Sequence, residues 1–186
     1  RTPRARHIIR RNRVAPVPVS VSQLANALLT LAVWPGILAH EYAHCVACRL
    51  TGVAVVSPPS LRPFEDSAVL EHEPVHRFGT DLAITLAPFV GNSILAFGAF
   101  AVADATAGTA NALAIWLGVC FGFTALPSIT DTETLLVTVA SVPNPLAPLG
   151  SVVAHSLRGL TRSAWVSGPV TFVWTLVLLS GSAGLV

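Results

Sequence analysis

The chain contains no lysine and no methionine, and it is poor in charge of either sign. Asp, Glu, Lys and Arg together make up 11% of its 186 residues, against roughly 25% in ordinary globular domains. With an apolar fraction of 53% and a mean hydropathy of +0.68, that scarcity excludes a conventional soluble domain. It implies a single compact membrane bundle. The missing methionine implies that the initiator and the first residues of the gene product lie outside this sequence. Three cysteines (Cys45, Cys48 and Cys120) cannot build a disulfide framework. Cys45-x-x-Cys48 has neither the second pair of a zinc knuckle nor the βαβ setting of a redox motif, so all three are expected to be small buried hydrophobes. There is no internal repeat and no low-complexity tract.

Every basic residue is Arg, and six of the eleven fall in the first thirteen positions, "RTPRARHIIRRNR". No aromatic residue interleaves them, which argues against a nucleic-acid arm. A hydrophobic run follows directly, so residues 1–20 are expected to be a basic juxtamembrane leader lying against anionic headgroups. No small-residue cleavage site ends that run, so it is not a signal peptide. The bilayer is an expected partner and nucleic acid is not.

A bilayer core of about 30 Å needs roughly 20 mostly apolar helical residues. One such stretch runs from about Val21 to Leu50, with Pro35-Gly36 as an expected kink. A second covers about Leu82 to Ala103. A third tract, from Asn111 to about Val142, is too long for one straight span and is divided by Pro127. The last begins near Ala164. Between the first two spans, "GVAVVSPPSL" has the β-branched character of a strand or hairpin at the membrane surface. Gly118-x-x-x-Gly122 reads as a close-packing feature. The expected fold is an all-α polytopic bundle of about four transmembrane helices with a short strand-like loop after the first. Its core is 21–142. A Pro-rich connection and surface helix follow at 143–163, then a C-terminal transmembrane helix at 164–186.

The pattern H-E-x-x-H occurs twice, as His40-Glu41-x-x-His44 and as His72-Glu73-x-x-His76. On a continuous helix, positions i and i+4 lie about 40° apart, so both imidazoles can face one ion. The intervening Glu then sits near the metal without ligating it. From there it can take a proton from the activated water and pass it to the leaving amine. The second copy contains Pro74, which disfavours helical geometry at Glu73, and its surroundings, "EDSAVLEHEPVHRFGTD", are those of a polar loop. The first copy sits in a helix-compatible span with no proline until residue 58. Two His and a Glu are costly there unless they line a polar cavity or hold a metal.

Catalytic zinc takes three protein ligands and keeps one position open. The apolar tracts offer few candidates for the third ligand. Asp81 and Asp104 mark the ends of the second span, while Asp131 and Glu133 follow the break after "TALPSIT". Asp131 is the expected ligand, with Glu133 as the alternative. Asp131 also suits a helix N-terminus, and the two roles are compatible.

With these residues in view, the chain resembles the site-2 protease family of intramembrane zinc metallopeptidases, as a divergent member. The resemblance spans about residues 30–140. It rests on "PGILAHEYAHCVACRLTG", on Pro88 and Asn92 in "LAPFVGNSIL", and on Pro127 and Asp131 in "ALPSITDTETLL". Pro88 and Asn92 stand one residue further apart than in the family pattern. Asp131 is followed by Thr instead of Gly and lies closer to its Pro. The resemblance implies Zn2+ held by His40, His44 and Asp131, with Glu41 as general base. It implies that Asn92 is a donor toward substrate or oxyanion; an interhelical hydrogen bond is the other reading of that residue. It also implies a membrane-anchored protein substrate that pairs with the strand-like edge at 51–60. A multi-pass protein of the cell membrane is expected. The Arg-rich leader favours a cytoplasmic N-terminus, whereas the family arrangement, adopted here, puts residues 51–80 with Arg62 and Arg77 inside. The alternative function is an inactive relative that binds a metal or a partner. A transporter is disfavoured by the lack of a repeat.

Overall fold

The computed structural model describes residues 21–61, 69–143 and 145–183. The basic leader at 1–20, Arg62 and the last three residues of the C-terminal segment lie outside the described residues. Those described form six helices and a two-stranded sheet. In order they are α1 (Val21–Thr51), β1 (Val55–Ser57), β2 (Glu71–His72), α2 (Phe78–Asp104), α3 (Gly108–Phe123), α4 (Ile129–Val139), α5 (Ala147–Thr161) and α6 (Ala164–Ser182).

Helix α1 runs through Pro35 without interruption, and at 1.5 Å per residue it is about 46 Å long. Gly52, with φ at +77°, ends it. There the Val53 N–H turns back to the Cys48 carbonyl at 2.8 Å, closing the helix in the manner that favours glycine. The chain then enters β1, which pairs antiparallel with β2, Val55 opposite His72 and Ser57 opposite Glu71. The first strand follows from its β-branched sequence. Its partner is the start of the second H-E-x-x-H.

Helices α1, α2 and α6 are long and apolar enough to cross a membrane. The expected fourth span resolves differently. The 111–142 tract breaks around Pro127 into α3 and α4, and α3 is apolar but only 16 residues long, about 24 Å. The described residues therefore hold three helices of spanning length instead of four. Helix α5 also corrects the expected 143–150 connection, because it starts inside that stretch at Ala147. Pro148 is accommodated in its first turn, where N–H groups have no intrahelical partner.

Helix α2 lies at the centre, against α1, α3, α4 and α6. Its inner face presents Asp81, Ile84, Thr85, Pro88 and Asn92, all buried, at helical spacing. Where α1 crosses α3, a Cβ on Gly36 would lie 2.2 Å from the Cys120 carbonyl oxygen, so only glycine allows that approach. Gly118 lies against the Phe100 ring and Gly122 against Thr175, so this pair packs α3 onto α2 and α6, as expected. Polarity is inverted across the molecule. His40, His44, Asp81, Thr85, Asn92 and Thr132 are buried, while Leu24, Leu28 and Leu29 of α1 and Phe172 and Val173 of α6 are exposed. Contiguous apolar surface of this kind is unfavourable in water and suits lipid, which leaves polar groups to be satisfied inside. The architecture fits a membrane protein.

Candidate metal centre

The first H-E-x-x-H lies in the unbroken middle of α1, which puts His40 and His44 on one face. Their Nε2 atoms are 3.2 Å apart. Asp131, in the first turn of α4, places Oδ2 3.4 Å from Nε2 of His40 and Oδ1 3.4 Å from Nε2 of His44. The histidines are 7% and 5% exposed, so bulk water does little to screen this contact. Among the described residues, these three form the one group of His, Cys, Asp or Glu side chains close enough to share an ion. His40, His44 and Asp131 could therefore hold a metal ion.

The hydrogen bonds behind the ligands fix which atoms face the centre. His40 Nδ1 lies 2.8 Å from the Thr124 carbonyl, and His44 Nδ1 lies 2.8 Å from the Ile84 carbonyl. A carbonyl only accepts, so each Nδ1 carries the hydrogen and donates it. Each neutral ring then presents a lone pair at Nε2. With both rings neutral, two lone pairs and a carboxylate would converge at this point, which is the electrostatic demand of a cation site.

Asp131 is oriented by the start of its own helix. Its Oδ2 accepts the Ser128 N–H at 2.6 Å, while Ser128 Oγ accepts the Asp131 N–H at 3.2 Å. This is a capping box. Thr85 of α2 donates to the Asp131 carbonyl at 3.3 Å. One turn earlier on α2, buried Asp81 accepts from Thr138 Oγ1 at 2.7 Å and from Thr134 Oγ1 at 3.4 Å. Asp81 thus clamps α4 to α2 and stands outside the His40, His44 and Asp131 group. Glu133, the alternative third ligand, turns outward to Arg158 at 2.6 Å. Asp104, at the far end of α2, accepts from Ser182 at 3.4 Å.

Glu41 accepts the Leu70 N–H through Oε2 at 2.9 Å. This bond ties the centre of α1 to the loop beside the sheet. Glu41, His44, His72 and Asp131 line one cavity of about 330 Å³. The second H-E-x-x-H is not helical. His72 belongs to β2, the Glu73 N–H bonds the Ala54 carbonyl at 2.9 Å, and helix resumes only at Phe78. His72 therefore reaches the cavity wall without joining the ligands, and His76 is exposed.

Asn92 is fully buried and is absent from that cavity's lining. Its Nδ2 donates to Thr124 Oγ1 at 2.9 Å, to the Gly36 carbonyl at 3.1 Å and to the Thr124 carbonyl at 3.2 Å. These bonds match the interhelical reading of Asn92, because they join α1, α2 and the end of α3 and use both amide hydrogens. The Thr124 carbonyl is also the acceptor for His40, so Asn92 bears on the centre through that shared atom. Cys45, Cys48 and Cys120 are buried free thiols, as their sequence setting implies. Reading the sequence did not find Ile84, Thr124 or Ser128, nor the clamping part of Asp81, because these parts are played by backbone atoms or by contacts between distant segments.

Compared with family models, curated proteins and solved structures, the chain matches none.

Proposed function

We propose that this protein is an intramembrane zinc metalloendopeptidase of the cell membrane, cleaving membrane-anchored proteins within or beside the bilayer. The observation that carries the reading is the convergence of His40, His44 and Asp131 beside Glu41 in one cavity of an inside-out helical bundle. The donor set of two imidazoles and one carboxylate suits zinc and leaves one position open. The separations of 3.2 and 3.4 Å are close to the roughly 3.3 Å edge of a tetrahedron with bonds of about 2.0–2.1 Å. When bound there, zinc would lower the pKa of a water molecule and polarise the scissile carbonyl.

The chain's own residues supply the rest. Glu41 is the general base. Leu70 holds its Oε2, leaving Oε1 to take the proton from water and return it to the leaving amine. Asn92 acts as a positioning residue through the Thr124 carbonyl. Among the described residues β1 pairs with β2 alone, and its other edge is where an extended substrate segment would add a strand, which suits a helix that must unwind before cleavage. Helix α3 is a fourth membrane-embedded helix packed among the three spanning ones. The likeness to site-2 proteases in His40, Glu41, His44 and Asp131 supports the assignment.

The test is cleavage of a model transmembrane substrate by purified wild type and by Glu41→Gln, with zinc measured on the same samples. Zinc in both with cleavage only by wild type is the expected result. Zinc in both with cleavage by neither would make this a metal-binding membrane protein and overturn the enzymatic reading.

A further inference from the structure

We propose that Pro88 is a positioning residue for His44. It leaves the Ile84 carbonyl without its helical partner, so that this carbonyl holds the His44 Nδ1–H. In a regular helix the carbonyl of residue i accepts from the N–H of residue i+4. For Ile84 that residue is Pro88, which has no N–H and whose ring presses the i−4 carbonyl out of line with the helix axis. The freed acceptor is buried inside α2, where an unpaired carbonyl costs free energy, and His44 Nδ1 meets it at 2.8 Å. Pro88 itself is fully buried on the same face of α2.

The other histidine is held in the same way, by a carbonyl at the end of a helix. Helix α3 stops at Phe123, so the Thr124 carbonyl has no continuing helix to serve. Its i+3 residue is Pro127, and the N–H of its i+4 residue, Ser128, is taken by Asp131. His40 Nδ1 donates to that carbonyl. A proline thus stands three or four residues beyond each acceptor, and each acceptor fixes one imidazole with Nε2 toward the centre. Partners of this kind set the tautomer and the ring orientation, and losing one typically weakens metal binding roughly 10- to 100-fold.

The inference rests on the reading of His40, His44 and Asp131 as metal ligands, and two substitutions at residue 88 separate it from a general packing role. Pro88→Ala restores an N–H that competes for the Ile84 carbonyl. Alanine is a good helix former, so the fold is expected to survive. The α-hydroxy-acid analogue of alanine at the same position replaces that N–H with an ester oxygen and lacks the proline ring. In metal-free protein, ¹⁵N shifts of the His44 ring are expected to show the Nδ1–H tautomer in wild type, a tautomer mixture in Pro88→Ala, and the Nδ1–H form again in the ester variant. Zinc affinity, measured by competition with a chelator, is expected to fall roughly 10- to 100-fold in Pro88→Ala and to return in the ester variant. A wild-type tautomer and affinity in Pro88→Ala overturns the inference. Equal loss in both variants also overturns it, because the ring and not the missing N–H would then matter. Wild type that takes up no zinc overturns the metal reading, while the tautomer series still decides the role of Pro88.

Discussion

The chain spells H-E-x-x-H twice, about thirty residues apart, and the two copies have different fates. Residues 40–44 lie in the middle of a 31-residue helix, where the i, i+4 spacing brings two imidazole nitrogens to 3.2 Å. Residues 72–76 begin in a two-residue strand and continue as a loop until Phe78, so His72 lines the cavity and His76 faces away from it. The five-residue pattern is the same in both. What differs is the backbone that carries it, and Pro74 is the local reason. A metal motif is a statement about helical geometry, and it holds only where a helix can form and be buried.

The sharpest way to break this difference is to give the first copy the second copy's proline. Tyr42 occupies the position equivalent to Pro74 and is 43% exposed, so its side chain does little packing. Tyr42→Pro is expected to cost about 3 kcal/mol or more in helix stability and to abolish metal binding, whereas Tyr42→Ala keeps both fold and metal. Thermal unfolding and metal content check this pair together. Metal retained by Tyr42→Pro would mean that helical continuity is not what distinguishes the copies.

Next in size is the glutamate. Glu41→Gln should keep the metal and lower the rate of cleavage by roughly 10²- to 10⁴-fold, while Glu73→Gln should leave the rate unchanged. A smaller effect is expected at the helix crossing behind His40. Gly36→Ala forces a methyl group against the Cys120 carbonyl and Thr124 Oγ1, with an expected loss of about 1–3 kcal/mol and weaker metal binding, since Thr124 is His40's partner. The smallest effect belongs to the second copy. His72→Ala should leave metal content unchanged and alter cleavage by less than about tenfold, or about 1.4 kcal/mol in the barrier. A loss of metal in that variant would show that His72 is a ligand after all.

Much of this arrangement was legible in the sequence, for identifiable reasons. His40, Glu41 and His44 stood out because their spacing is helical and their surroundings hold no breaker. Asp131 stood out because a carboxylate just after Pro127 interrupts an apolar tract. Local rules were less exact at the Pro-rich 143–150 stretch, where α5 starts within it. Four spans were expected because the 111–142 tract, even divided at Pro127, was counted as one, whereas the helix before that break has only 16 residues. The pairing of β1 with Glu71–His72, the bond from Leu70 to Glu41 and the clamp of Asp81 on Thr134 and Thr138 were not legible. Each joins residues fourteen to fifty-seven positions apart, and no local pattern encodes them. The Ile84 and Thr124 carbonyls are a subtler case, because any residue type has a carbonyl. Only the prolines that follow them, Pro88 and Pro127, hint in the sequence that those acceptors are free.

The central claim is that one ion is shared by two residues of α1 and one of α4. Elemental analysis of zinc in detergent-purified wild type, beside Asp131→Ala, tests it most directly. One zinc per chain in wild type, with most of it lost from Asp131→Ala, is the expected result. Full zinc in Asp131→Ala, or none in wild type, would contradict it.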